Sequence, residues 1–310
     1  MELHALLFDS GTKQLFAATD KGIFINDSKV QQWTPVKAAS LPTDSYTALE
    51  FNISAPKTLY AGTVHNGIFM SHDDGMSWSA LKAGWPVGSA ANDLSYDADH
   101  HQLWATTTAG VYLLKDGAPS WQASSTGLPA HTVAYAIEPA ATSGASLKTV
   151  YLGTNHGVYT SQDQGRHWRT GQESLAATSV YQIVVDFRSN NGQTIYISTD
   201  VGAFRSDDSG QHWAGIASGL PRAHPVYALA LGADNYTQLF AAADGVYQYP
   251  GSGSGLSFSR IITILVVLLF FFLLYRLTQY NRNRKRPVPF PRSPVPAEPR
   301  DESHTDMKSM

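Results

Sequence analysis

Aspartates stand one or two residues ahead of a glycine at three matching places in the 310-residue chain, each just after an apolar-aromatic run: Asp20 before Gly22, Asp200 before Gly202 and Asp244 before Gly245. Histidine and asparagine take that place at two others, in His65-Asn66-Gly67 and Asn155-His156-Gly157. Two carboxylates at a set separation can hydrolyse a glycosidic bond. Histidines grouped with acids can hold a metal. Polar groups on rigidly held loops can bind a ligand with no chemistry at all. Polar residues beside glycine are most often turn formers, so the residues alone predict no catalytic pair, no metal and no cofactor. The chain has no cysteine, which removes disulfides, thiolate nucleophiles and zinc–thiolate sites together. It carries no Gly-x-Gly-x-x-Gly, Walker A loop or His-Glu-x-x-His. A net charge of -3 gives no broad attraction to nucleic acid, and none is expected as a partner.

The elements that position these residues form a repeat. An apolar-aromatic strand, a polar step, a glycine and a second strand recur six times, from Gln14-Leu15-Phe16-Ala17-Ala18-Thr19 to Gln238-Leu239-Phe240-Ala241-Ala242-Ala243. The glycines, residues 22, 67, 110, 157, 202 and 245, stand 45, 43, 47, 45 and 43 residues apart. Each unit has a strand before this block, and the first five have another after it with Trp33, Trp78, Trp121, Trp168 or Trp213. Four short strands at a period of 40–50 residues predict an all-β fold, a six-bladed β-propeller of four-stranded blades over residues 1–250 with a three-stranded last blade. The glycine-preceding turns then join second to third strands and converge at one end of the ring. With the blade-to-blade crossings, which carry Tyr46, His131, Tyr181, Arg222 and His224, they form the expected ligand-binding face: Asp20, His65, Asn66, Asn155, His156, Asp200, Asp244 and Arg222.

Three units carry Ser-x-Asp-x-Gly-x-x-Trp, beginning at Ser71, Ser161 and Ser206. The motif resembles the Asp-box, or BNR repeat, of sialidases, xyloglucan hydrolases, sortilin-type receptors and photosystem-assembly propellers. The resemblance covers residues 1–250 and implies a propeller, with no single activity. Turn chemistry gives each motif a mechanical role: Asp73, Asp163 and Asp208 bond backbone amides, Gly75, Gly165 and Gly210 take positive φ, and Trp78, Trp168 and Trp213 pack between blades. The resembled sialidases carry an Arg-Ile-Pro signature and an arginine cluster. Here there is no Arg-Ile-Pro, and the only arginines before residue 250 are Arg166, Arg169, Arg188, Arg205 and Arg222. The resemblance therefore points to a non-catalytic member.

A Gly/Ser linker at 251–255 leads to a segment at 256–277 whose centre, Ile261 to Tyr275, is an uncharged apolar run. It is expected to span a membrane once as a helix, with Arg260 and Arg276 snorkelling at its ends. Arg282, Arg284, Lys285 and Arg286 follow it, so the positive-inside rule puts the tail, 278–310, in the cytoplasm and the propeller outside. The tail is basic and then proline-rich, a composition of disorder. The start of the chain is not a signal peptide. Two readings stay open: a segment upstream of Met1 that supplies both an export signal and a strand to the last blade, or a three-stranded last blade with the apolar helix directing export.

The expected function is recognition of a protein or a glycan on the loop face of a membrane-held propeller. A sialidase-like glycoside hydrolase and a surface sensor signalling through its tail are the alternatives.

Overall fold

The computed structural model describes residues 1–27, 32–140, 149–171, 175–187, 194–216, 224–232 and 238–249, all within one compact unit, Met1–Gly255. Arg222, the linker, the apolar segment and the tail lie outside the described residues.

Six antiparallel sheets follow one another along the chain. Blade 1 is β1 (Leu3–Asp9), β2 (Gln14–Thr19), β3 (Gly22–Asp27) and β4 (Gln32–Pro35). Blade 2 is β5 (Tyr46–Phe51), β6 (Leu59–Thr63), β7 (Ile68–Ser71) and β8 (Ser79–Ala80). Blade 3 is β9 (Ala91–Asp97), β10 (Gln102–Thr107), β11 (Gly110–Lys115) and β12 (Gln122–Ala123). Blade 4 is β13 (Ala134–Ala140), β14 (Thr149–Thr154), β15 (Gly157–Ser161) and β16 (Arg169–Thr170). Blade 5 is β17 (Val180–Asp186), β18 (Thr194–Thr199), β19 (Gly202–Ser206) and β20 (Ala214–Gly215). Blade 6 has three strands, β21 (Ala228–Leu231), β22 (Leu239–Ala242) and β23 (Val246–Tyr249). The chain is thus a six-bladed propeller whose last blade is three-stranded.

The second strand of blades 2 to 5 is buried on both faces, which is why its sequence reads as a continuous apolar run rather than an alternation. Blades meet through the large residue of that strand. Phe16 lies under Gly75 of blade 2, Trp104 under Gly165 of blade 4, and Tyr151 under Gly210 of blade 5. In each of these turns the serine hydroxyl accepts the glycine amide (Gly75 to Ser71 Oγ, 2.9 Å), and the aspartate accepts the amide two residues past the glycine (Ser77 to Asp73 Oδ1, 2.8 Å). The residue before the glycine and the glycine itself both take positive φ, 56° and 87° at Asp74-Gly75. Trp78, Trp168 and Trp213 are buried. Trp78, Trp121, Trp168 and Trp213 stand ahead of the short fourth strand, not within it, whereas their counterpart Trp33 lies in β4.

Blade 6 has no counterpart of this turn among the described residues, and the consequence shows one blade back. Tyr151 Oη donates to the Ser209 carbonyl of the next blade's turn at 3.2 Å. The equivalent Tyr196 Oη is buried and has no hydrogen-bond partner among the described residues.

Candidate functional site

The first strands of the blades run side by side around the propeller axis. In five of them the pairing with the second strand skips one residue at the same phase: His4, Thr47, Asn92, Tyr135 and Tyr181. A bulge of this kind frees one residue from the ladder and turns its side chain out of the alternation. In blade 6 the same phase is held by Tyr227, directly ahead of β21. Residues before each of these positions are buried in blades 2 to 6, at Tyr46, Ala91, Ala134, Val180 and Val226, while the bulged residues are half-buried or exposed.

This row forms the lining of one end of the ring, in two halves. Tyr135 meets Tyr181 edge-on at 5.5 Å, and Tyr181 stacks on Tyr227 at 5.8 Å with planes 28° apart. Three consecutive blades thus supply a continuous aromatic wall whose last member, Tyr227, is 59% exposed. Burial, and then Asp200, Tyr135 and Tyr227, push the Tyr181 phenol up, so it stays a hydrogen-bond donor. The other half is polar. Thr47 Oγ1 donates to the Ala91 carbonyl, Asn92 Nδ2 to the Ala134 carbonyl at 2.6 Å, and His4 Nε2 lies 3.2 Å from Ser45 Oγ.

Deeper in the ring, one and three residues past the bulge, the first strands carry Asp93, Glu50 and Glu138. Glu50 accepts the Tyr96 amide of the next blade at 3.2 Å, and Asp93 accepts the Ile137 amide at 3.1 Å. Gln182 does the same for Leu229 at 2.6 Å. These side chains satisfy backbone groups on the innermost strand, which has no further strand beside it. Each carboxyl keeps some open surface, yet protein from neighbouring blades surrounds the rest. Burial pushes the Glu50 carboxyl up to about 8, with Asp93 and Glu138 adding to it against the Tyr96 amide. Burial, then Asp93, raises Glu138 to about 8. Burial raises Asp93 to about 6 against its two amide bonds. No trio of acids and histidines is spaced to hold a metal ion among the described residues.

The residues that the sequence singles out have mostly a different duty. Asp20 accepts the Glu2 amide at 2.7 Å, Asn155 the Val133 amide at 2.9 Å and Asp200 the Ser179 amide at 3.2 Å. All three clamp the chain just before a first strand. In blade 2 the acceptor comes from the crossing instead: Asp44 accepts from the amides of Ser45, His65 and Asn66, from Asn66 Nδ2 and from His65 Nδ1. Burial works against the charge on Asp44, but these hydrogen bonds win and hold its carboxyl below the usual range. Replacing it by alanine leaves the part-buried amides of Ser45, His65 and Asn66 without this acceptor, and Asp44→Ala should cost about 1–3 kcal/mol in a urea melt. His156 is half-buried, its amide bonded to Thr154 Oγ1, and Asp244 is exposed and accepts Tyr247 Oη at 2.7 Å. Tyr46 is buried, its hydroxyl on the Pro42 carbonyl, and His131 and His224 are exposed. Of the residues proposed near the crossings, Tyr181 alone belongs to the aromatic wall.

No family model and no curated protein matches the chain. Solved structures do match its fold. The extracellular domain of a hybrid two-component system from B. thetaiotaomicron is 13% identical with a TM-score of 0.66, over 83% of this chain and 33% of that one. An ancestral GH74 enzyme is 18% identical with a TM-score of 0.66, over 80% of this chain and 36% of that one. PorZ, a surface component of the type-IX secretion system of Porphyromonas gingivalis, is 19% identical with a TM-score of 0.59, over 81% of this chain and 39% of that one. The chain spans about a third of the length of each, and the likeness is one of fold.

Proposed function

We propose that the protein is a non-catalytic binding propeller, held to a membrane by residues 256–277 with the propeller outside and the tail in the cytoplasm. Its ligand is a protein or a glycan, taken at the bulge-lined end of the ring. The aromatic wall of Tyr135, Tyr181 and Tyr227 carries this reading. Three rigidly seated rings give a large contact area at low cost in side-chain entropy, and the polar half opposite supplies direction. Sequence supports the topology through the charge asymmetry around the apolar segment.

The raised carboxyls favour a second reading, a glycoside hydrolase, because perturbed acids mark many active sites. Two of the three already hold backbone amides, which argues for a structural duty. A glycan array, a set of surface-protein ligands and a glycosidase panel, run on the full chain in detergent, separate the two. Saturable binding without turnover is expected, and Tyr181→Ala should weaken it by roughly tenfold or more, the loss of one aromatic anchor. Turnover abolished by Glu138→Gln would replace the binding reading with the hydrolase. Protease added to intact cells should remove the propeller and spare the tail; the reverse pattern would invert the topology.

A further inference from the structure

Capping the innermost strands does not require a charge. Gln182 bonds the Leu229 amide with a neutral side chain, at the position where Asp93 bonds that of Ile137. Glu50 spends one oxygen on the Tyr96 amide. Glu138 has no hydrogen-bond partner among the described residues, although protein encloses nearly all of it. Nor is the acidity balanced within the lining, because β1, β5, β9, β13, β17 and β21 contain no lysine or arginine. Asp93 and Glu138 both work against charge on Glu50, and Asp93 against charge on Glu138, so the three stand within reach of one another across blades 2 to 4. Like charges in a poorly hydrated setting call for a cation.

The acids lie directly below the aromatic wall. Asn92 and Asp93 bracket Tyr135, bonding the Ala134 carbonyl on one side of it and the Ile137 amide on the other. Tyr135 and Glu138 share β13. A rise of about 3.3 Å per residue puts Glu138 and Glu50, each three residues past its bulge, roughly 10 Å below the bulge row. A group entering this end of the ring meets the tyrosine rings first, Asp93 and Gln182 next, and Glu50 and Glu138 last.

On the binding reading proposed above, we infer that a protein ligand enters this end of the ring with a basic side chain, its stem along Tyr135 and Tyr181 and its charge among Asp93, Glu138 and Glu50. A long apolar stem with a charge at the tip, as in lysine, matches an aromatic mouth over an acidic floor. A neutral glycan would satisfy the rings and leave the acids without a counter-charge. Occupation also moves protons. In the empty ring Glu50 and Glu138 are raised to about 8 and Asp93 to about 6. A bound cation favours their charged forms, so binding releases protons and tightens as pH rises through that window, while lysine itself keeps its charge up to about 10.4. The other titratable groups at this end are His4 beside Ser45 Oγ, Asp44 and Asp200 on amides of the crossings, and the Tyr181 phenol, which is pushed up.

Tetralysine, titrated calorimetrically into the full chain in non-ionic detergent, tests this. It should bind at one site per chain, and Glu138→Gln should weaken it by roughly thirtyfold or more. Asp74→Asn, which removes the same charge from a box turn at the opposite end and keeps a residue that tolerates its positive φ, should change it by no more than about twofold. Affinity should rise by roughly tenfold or more between pH 6 and 8, and Glu50→Gln/Glu138→Gln should flatten that rise. Glutamine keeps the acceptor and the shape, so thermal melts at pH 7 should show each variant folded. No binding of tetralysine, or an equal loss in Glu138→Gln and Asp74→Asn, overturns the inference. A neutral tetrasaccharide that binds, weakens in Tyr181→Ala and ignores Glu138→Gln would overturn it too, while keeping the binding reading. That reading falls only if the glycan array and the surface-protein set are silent as well.

Discussion

Trp168→Ala should lower the stability of the propeller by roughly 3–5 kcal/mol in a urea melt followed by circular dichroism. The residue is 3% exposed and belongs to a cluster with Trp104, Val111, Ile137, Val150 and Leu152, drawn from blades 3 and 4. Its indole donates to the Ser124 carbonyl at 2.8 Å, and its ring meets Trp104 edge-on at 6.2 Å. Its amide is bonded to the Thr126 carbonyl, and Gly127 lies so close to its backbone that a Cβ there would strike the Trp168 carbonyl oxygen. Alanine would leave a cavity at a seam with little freedom to collapse. Met76→Ala, at a residue 77% exposed, should stay within about 0.5 kcal/mol of wild type. A Trp168→Ala melt no different from Met76→Ala would mean that this seam does not bear on stability.

The second large effect is on pH. Glu50 and Glu138 ordinarily titrate near 4.5, and in the ring they are raised to about 8. The native chain therefore holds more protons than the unfolded chain across that window. Their contribution is complete below pH 4.5 and is lost as pH rises through about 8. Asp93, raised to about 6, adds to the fall at lower pH. The loss should reach on the order of 5 kcal/mol by about pH 9, after a discount for the open side of the ring. Asp73 and Asp208 act in the opposite sense. Hydrogen bonds from Ser77, then Ser71, hold Asp73 down to about 2. At Asp208 burial opposes the shift, and bonds from His212 and Ser206 hold it to about 2. Their stabilisation is present above 3.8 and lost as pH falls through about 2. The thermal midpoint should thus peak near pH 4–5. In Glu50→Gln/Glu138→Gln the decline above about pH 6 should flatten, because glutamine keeps the acceptor for Tyr96 without the charge. A midpoint in the wild type that rises from pH 5 to 9 would contradict the burial of these groups.

The order of strands and the number of blades were legible because a period of about 43–47 residues repeats the same apolar and glycine phases from blade to blade. The mechanical role of the serine–aspartate–glycine turns was legible for the same reason, since the residues that bond lie within eight positions of one another. What the polar turn residues do was not legible. A polar residue beside a glycine reads the same whether its side chain meets solvent or clamps the amide of Glu2, Val133 or Ser179, as Asp20, Asn155 and Asp200 do. The tyrosine wall was hidden by the bulges. A strict period of two puts Tyr135 on the same face as Ile137, whereas the skipped residue takes Tyr135 off that face. Glu50, Asp93 and Glu138 did leave a signal that went unread: a charge in the middle of an otherwise apolar first strand.

The bulge row also separates what the repeat must keep from what it is free to vary. A bulged residue has no partner in its own ladder, and what it meets instead lies on the neighbouring first strand: Thr47 and Asn92 bond the Ala91 and Ala134 carbonyls, and Tyr135 packs on Tyr181. The six occupants already include histidine, threonine, asparagine and three tyrosines on near-identical backbones. On the binding function proposed above, a library randomised at those six positions alone should retain folding while its specificities diverge.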